Sequence, residues 1–208
     1  MTGNSTPGRR GTATKLLFEV AIVFIGVFLA FLASNWNDGR EDRTRALKTL
    51  SVLHRELDDF VTYSPVPVEA MRRALERFRL ESADGGRPVP AFYREPRASR
   101  APTAAWQATI ASGAYELLDP DLFYELTLHY NRIDSLNDKF VHYMRRTEEL
   151  ILPELDGDAS SFYDEHGLRG SYRVQLDLLE EVRLEIESLM ADAEVLKNKL
   201  EAELAARD

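Results

Sequence analysis

The chain has 208 residues, of which 44% are hydrophobic and 29% are charged, and it contains no cysteine. The lack of cysteine excludes disulfide bonds, thiol catalysis and cysteine metal sites. The net charge of -9 is concentrated at the far end, where residues 154–208 hold 15 acidic and 6 basic residues, so we expect no nucleic-acid partner. This length allows one membrane anchor and one domain of about 150 residues.

Residues 1–14 are polar and rich in glycine, threonine and serine, which predicts a disordered tail. Residues 15–37 are predicted to form a transmembrane helix, because the apolar stretch from Leu16 to Trp36 reaches roughly 31 Å as a helix, close to the ~30 Å hydrocarbon core of a bilayer. The stretch is longer than the apolar region of a signal peptide, and no small-x-small cleavage site closes it. We therefore expect an uncleaved anchor with the lipid bilayer as a partner.

Three small residues of the predicted anchor, Gly26, Ala30 and Ser34, recur every fourth position and share one helix face. Such a face favours close packing with a second copy or with another membrane protein. Glu19 is the one ionisable residue between Leu16 and Trp36. Two interpretations of Glu19 stay open: a first-turn acid that reaches the headgroups, or an intramembrane acid that serves as a proton site or contacts a partner helix.

Seven residues in and after the anchor match the pattern E-x6-G-x3-A-x4-N-W-N-[DE]: Glu19, Gly26, Ala30, Asn35, Trp36, Asn37 and Asp38. This pattern resembles the N-terminal signature of a family of uncharacterised bacterial single-pass membrane proteins. The usual glutamine of that family, two residues after the alanine, is Leu32 here, so no role for a mid-membrane amide carries over. A second similarity lies in the middle of the chain: Trp106, Ser112-Gly113, Leu122, Leu126 and Tyr130. The resemblance implies a single-pass membrane protein and no particular activity.

The orientation of the anchor follows from its flanks. Asn35, Trp36 and Asn37 predict an anchor at the headgroup level on the far side of the span. Basic residues flank both ends, but a short N-terminal tail usually stays in the cytoplasm, and long domains translocate largely regardless of charge. We therefore expect an inner-membrane protein with a cytoplasmic N-terminus and a periplasmic C-terminal domain.

Residues 38–208 are predicted to form a soluble, all-α domain. The helix of the anchor is expected to continue as a juxtamembrane helix with an apolar a/d seam: Ala46, Leu50, Leu53, Leu57 and Phe60. Ser64-Pro65-Val66-Pro67 should end it, with a second helix from Val68 to Ser82. A basic loop rich in proline and glycine is predicted over residues 83–103. It either forms a solvated surface or pairs with the acidic C-terminal helix, or it contacts anionic headgroups.

After a short helix near Trp106, Asp119-Pro120 predicts the capped start of a long helix that runs to about Leu152. A linker is predicted over residues 153–170. Its Asp156-x-Asp158 spacing is similar to the opening of a calcium-binding loop. Two positions depart from that loop, because Ser161 stands where a glycine and Gly167 where a glutamate is needed, so we expect no calcium there.

The last predicted helix, Ser171 to Ala206, has the strongest periodicity of the soluble part. Apolar residues recur every seven positions, and a second series follows three residues later. The first series is Tyr172, Leu179, Ile186, Ala193 and Leu200, and the second is Val182, Leu189 and Leu196. This seam must be buried, either in an antiparallel bundle within the chain or against a second copy, and the number of helical segments favours the bundle.

No motif of the sequence predicts catalysis. The four histidines, His54, His129, His142 and His166, lack metal-ligand spacing and are expected at the surface or in a seam. No nucleophile elbow, phosphate loop or dinucleotide fingerprint is present. We therefore expect a protein that is not an enzyme and that holds no cofactor or metal.

Three functions follow as hypotheses. The main one is a membrane-anchored structural or interaction module, acting as a homo-oligomer or as an accessory subunit of a membrane complex, through the Gly26 face and the juxtamembrane heptads. The second is an extracytoplasmic small-molecule sensor with an aromatic pocket: Trp106, Tyr115, Phe123, Tyr124 and Tyr130. The third is an oligomeric channel or proton-coupled component built around Glu19.

Overall fold

In a computed structural model of the chain, residue 28, residues 40–94 and residues 100–207 are described. Contacts divide the chain into two units, Met1–Arg45 and Ala46–Asp208. In the described part of the first unit, residues 40–45 are helical, and Phe28 has helical backbone and an exposed side chain. The predicted transmembrane helix over residues 15–37 therefore lies outside the described residues, apart from Phe28. None of the helices in the described ranges combines the length with the apolarity that a bilayer crossing needs.

The described part of the chain is predominantly helical, which confirms that aspect of the predicted fold class. The α-helices are α1 (residues 40–63), α2 (Pro65–Ala83), α3 (Ala104–Ala111), α4 (Pro120–Leu150) and α5 (Gly170–Arg207). Short 3-10 helices cover Ala114–Leu117, Leu152–Glu154 and Ala159–Phe162. Two-residue strands β1 (Tyr163–Asp164) and β2 (Gly167–Leu168) pair antiparallel within the predicted linker over residues 153–170.

The long C-terminal helix α5 lies at the centre of the second unit. Helices α1, α2 and α4 each contribute charges that pair with it: Asp58 with Lys197 (3.2 Å), Arg72 with Glu187 (3.0 Å) and Lys139 with Glu181 (3.7 Å). Along each of the three helices, later residues meet earlier positions of α5, so all three run antiparallel to it. This arrangement confirms the predicted antiparallel bundle within one chain.

Helices α1 and α2 follow one another along α5 in the same direction. His54 and Asp58 of α1 pair with the C-terminal half of α5, whereas Arg72 and Arg79 of α2 pair with its N-terminal half. The interval predicted to separate two helices is therefore a break of one residue, Ser64, whose backbone dihedral angles are themselves helical. We call this junction between α1 and α2 the kink. Helix α2 begins at Pro65 instead of Val68, because the first position of a helix needs no backbone N–H and accepts proline.

The core lies between α5 and the three helices around it. The predicted α5 seam is buried along its whole length, from Tyr172 to Leu200. The α1 seam is buried as well, from Ala46 to Phe60. Helix α4 contributes Leu126, Ile133 and Leu136 to the same cluster. Burial of apolar surface in this seam, at roughly 25 cal/mol per Å², is the main stabilising contribution to the bundle.

The substitution Leu189→Ala should lower the free energy of unfolding by about 2–5 kcal/mol, because it leaves a cavity in a close-packed core. Leu189 is fully buried, whereas Leu184 on the same helix is 50% exposed. Urea unfolding of the full chain in detergent micelles, followed by circular dichroism, measures both values. The matched control Leu184→Ala should change the free energy by less than about 0.5 kcal/mol. Equal effects of the two substitutions would contradict the described packing.

Candidate functional site

Three buried polar side chains bind the backbone of the irregular segment between α2 and α3 and of the first turn of α3. The first is Tyr143 of α4, which contacts both backbone groups of Tyr93. The Tyr143 hydroxyl accepts a hydrogen bond from the Tyr93 N–H (2.7 Å) and donates one to the Tyr93 carbonyl oxygen (3.2 Å). Burial raises the pKa of Tyr143, so the hydroxyl stays protonated and keeps its role as a donor.

Asn137, less than two helical turns before Tyr143, holds the other end of this segment in the same way. Its side-chain oxygen accepts a hydrogen bond from the Ala101 N–H (2.8 Å), and its side-chain nitrogen donates one to the Ala101 carbonyl oxygen (3.3 Å). The side-chain amide therefore satisfies both backbone hydrogen-bonding groups of Ala101, as a neighbouring strand would do. Because Asn137 is buried, loss of either hydrogen bond would leave a polar group without a partner.

Glu56 of α1 is the third of these side chains and lies at the N-terminus of α3. One carboxylate oxygen accepts from the Ala105 N–H (2.8 Å) and the other from the Trp106 N–H (3.3 Å). Free N–H groups and the positive end of the helix dipole make this an energetically favourable place for a carboxylate. Thr103, the residue at the N-cap position, makes no capping bond with its side chain, so Glu56 supplies the cap from another helix.

An open cavity of about 320 Å³ lies beside the kink between α1 and α2, and we name it the kink cavity. Its walls come from α1, α2, α4, α5 and the segment that Asn137 holds. Most of the lining side chains are apolar: Phe60, Pro67, Met71, Ala101, Pro102, Leu136, Phe140 and Ile186. The polar lining consists of Asp59, Tyr63, Ser64, Arg100 and Asn137. An apolar cavity with a few polar groups is the usual form of a small-molecule site.

The charges at the kink cavity differ in their surroundings. The Arg100 guanidinium lies 3.3 Å from the carboxylate of Asp138, and both side chains are exposed. Among the described residues, no basic nitrogen lies within 4 Å of the Asp59 carboxylate. Asn137 already binds Ala101 with both atoms of its amide. The unpaired charge at this cavity is therefore negative.

The aromatic residues predicted to line a pocket lie elsewhere. Trp106 stacks on Tyr130 with ring centroids 5.0 Å apart, and Phe123 contacts both Trp106 (5.8 Å) and Tyr115 (5.3 Å). The structure thus brings four of the five rings together in one set of ring contacts. Tyr124 is 63% exposed and lies outside the stack. None of the five lines the kink cavity.

His129, expected at the surface or in a seam, is buried in the core. Its ring lies edge-on to Phe60 and Tyr130. Neither ring nitrogen of His129 has a hydrogen-bond partner in the described part of the chain. Burial lowers the pKa of His129 to about 4, with Asp192 acting in the opposite direction and Arg132 in the same direction. The imidazole is therefore neutral at pH 7.

Asp158, which belongs to the calcium-like spacing in the linker, has a local structural role. Asp158 caps the 3-10 helix Ala159–Phe162, because its carboxylate accepts hydrogen bonds from the Ser160 N–H (3.2 Å) and hydroxyl (2.8 Å). These hydrogen bonds lower the pKa of Asp158. Within residues 40–94 and 100–207, no group of three or more histidine, aspartate or glutamate side chains is placed to hold a metal ion.

The predicted sites of the anchor lie outside the described residues: Glu19, Gly26, Ala30, Ser34, Asn35, Trp36 and Asn37. Sequence reasoning missed the kink cavity and the three side chains that hold the segment between α2 and α3 and the start of α3. Periodicity gave no signal for Glu56, because this residue lies beside the α1 seam and not at one of its positions. Comparison of the chain with protein-family models, with curated proteins and with solved structures finds no match.

Glu56→Ala should lower the free energy of unfolding by about 1–3 kcal/mol, because two N–H groups of α3 lose their acceptor. The amide protons of Ala105 and Trp106 should also exchange faster with solvent. Urea unfolding and hydrogen exchange of the full chain in micelles measure the two effects. Glu76→Ala removes an exposed carboxylate of α2 and serves as the control with little effect. Unchanged exchange at Ala105 would contradict the capping role of Glu56.

The lowered pKa of His129 predicts a loss of stability in acid. The unfolded chain takes up a proton near pH 6.5, whereas the folded chain resists protonation down to about pH 4. The free energy of unfolding is therefore highest above pH 6.5 and falls as the pH is lowered towards 4. His129 alone contributes up to about 3 kcal/mol to this fall. The variant His129→Phe should lack this contribution, so its unfolding free energy should fall less between pH 7 and pH 4.5. Parallel losses in the two proteins would contradict the burial of a neutral imidazole.

Proposed function

We propose that this chain is a membrane-anchored helical interaction module that takes up a ligand in the kink cavity and carries out no catalysis. The observation that carries the proposal is the kink cavity itself. It is open to solvent, largely apolar and lined from four helices and one connecting segment. Lining groups on rigid helices keep their positions without a ligand, which lowers the entropic cost of binding one.

The position of the cavity in the chain supports this proposal. Ser64 and Pro67, at the junction of α1 and α2, line the cavity opposite residues of α4 and α5. The segment that reaches Ala101 then closes one side of the cavity, where Asn137 holds it with two hydrogen bonds. Asn137 is thus a buried polar side chain whose hydrogen bonds fix the wall of the cavity at Ala101.

The membrane part of the proposal concerns residues 15–37. These residues anchor the chain in the bacterial inner membrane, with the N-terminus in the cytoplasm and the bundle in the periplasm. The length and apolarity of the stretch support this placement. A periplasmic bundle with a ligand cavity would act as a sensor or accessory subunit, with a membrane partner receiving the signal.

Self-association in the membrane is proposed through Gly26, Ala30 and Ser34 alone. The juxtamembrane seam, which the sequence offered as a second contact between copies, is buried in the bundle of its own chain, with Leu50 and Leu53 fully covered. A second copy cannot use this seam without unfolding the bundle. Contacts between copies would therefore lie in the bilayer, where small residues allow two helices to approach closely.

The substitution Ala101→Phe should fill the kink cavity and abolish the binding of small phenyl probes. We would titrate the full chain in lipid nanodiscs with benzyl alcohol, benzyltrimethylammonium and phenylacetate, using saturation-transfer NMR and empty nanodiscs as the blank. Ala104→Phe places the same ring on an exposed residue outside the cavity, so this control should keep the binding of the original chain. If no probe shows saturable binding that Ala101→Phe removes, the proposed function is wrong.

A further inference from the structure

We propose that the ligand of the kink cavity is an organic cation, an ammonium group on an apolar body. This inference rests on the proposed function, since it assumes that the cavity binds a ligand, and it assigns the chemical class of that ligand. The cavity offers such a ligand a negative charge, an aromatic ring beside that charge, and an apolar wall.

Asp59 provides the charge. Its side chain is exposed and lines the cavity. As noted above, no basic nitrogen among the described residues lies within 4 Å of its carboxylate. Its neighbour Asp58, by contrast, pairs with Lys197 at 3.2 Å. Within the described residues, Asp59 therefore presents a carboxylate without an ion pair beside the apolar surface of the cavity.

Tyr63 places an aromatic ring next to this carboxylate. The two residues are four positions apart in α1 and therefore lie on the same face, one turn apart. The Tyr63 side chain is 69% exposed although it lines the cavity, so its ring face is accessible to a ligand. A carboxylate and an aromatic face together are the groups that bind ammonium and quaternary ammonium ions, through charge attraction and the cation–π interaction.

Arg100 is the only basic residue that lines the cavity in the described part of the chain, and its charge is already compensated. Its guanidinium pairs with Asp138 at 3.3 Å. The local set of Asp59, Arg100 and Asp138 has one positive and two negative charges. The net negative charge of this set repels an anionic ligand and attracts a cation.

The inner wall fits the rest of such a molecule. Phe60, Met71, Phe140 and Ile186 line it, and they offer an apolar surface without competing hydrogen-bond groups. The ligand would thus place its apolar body against this wall and its ammonium group at the rim. Two sources share this chemistry, a free amine or quaternary ammonium compound and the headgroup of a choline or ethanolamine lipid.

The test uses the full chain in nanodiscs of anionic phosphatidylglycerol, which contain no ammonium headgroup. Benzyltrimethylammonium, benzyl alcohol and phenylacetate share a phenyl ring and differ in charge. We expect the cation to bind at least about tenfold more tightly than phenylacetate. Asp59→Asn should lower the affinity for the cation by about tenfold and leave the affinity for benzyl alcohol unchanged. Tyr63→Leu should also lower the affinity for the cation selectively. The control Asp134→Asn removes an exposed carboxylate of α4 outside the cavity and should have no effect.

The outcomes separate this inference from the proposed function on which it rests. If phenylacetate binds as tightly as the cation, or if Asp59→Asn leaves the cation unaffected while Ala101→Phe abolishes binding, the assignment of a cation is overturned and the cavity remains a binding site. If Ala101→Phe affects no probe, the proposed function fails as well. Competition by soluble glycerophosphocholine would support the assignment with a lipid headgroup as the source, and competition only by simple amines would support it with a free cation.

Discussion

The burial of the α5 seam is the constraint on which the rest of the structure depends. A helix of 38 residues with apolar residues at two heptad positions cannot leave that face in water, and helices α1, α2 and α4 together cover it. Charged residues at the edges of the seam meet opposite charges on these helices, as Arg72 of α2 meets Glu187 of α5. These ion pairs are exposed and add little stability individually, but they favour one alignment of the helices over its alternatives.

The kink between α1 and α2 has a local cause. Pro65 and Pro67 lack the N–H groups that a continuous helix would use. The Ser64 N–H still donates to the Phe60 carbonyl (3.1 Å), and the Val68 N–H donates to the Ser64 carbonyl (3.3 Å), so the helical path continues through Ser64. The kink cavity lies beside this junction, and residues of α1, α2, α4 and α5 line it.

Buried polar groups divide into two kinds in this bundle. Asn137 and Tyr143 bind backbone groups of the segment between α2 and α3, and Glu56 binds the first turn of α3. His129 is of the second kind, because its ring nitrogens have no hydrogen-bond partner among the described residues. Asn137 holds the wall of the cavity at Ala101, and His129 makes the core sensitive to acid.

The sequence by itself determined the elements whose cause is local. The seven-residue repeat of α5 and the seam of α1 predicted which faces are buried, and Asp119 caps α4 as predicted, accepting from the N–H groups of Asp121 (3.0 Å) and Leu122 (3.1 Å). Only the tertiary structure decided the rest. The continuation of the path through Ser64, the stacking of Trp106 on Tyr130 where a pocket had been expected, and the approach of Asp59 and Ala101 to one cavity all depend on contacts between residues distant in sequence. Periodicity shows that a face is apolar, but it does not show which helix covers it or in which direction, because many pairings bury the same area.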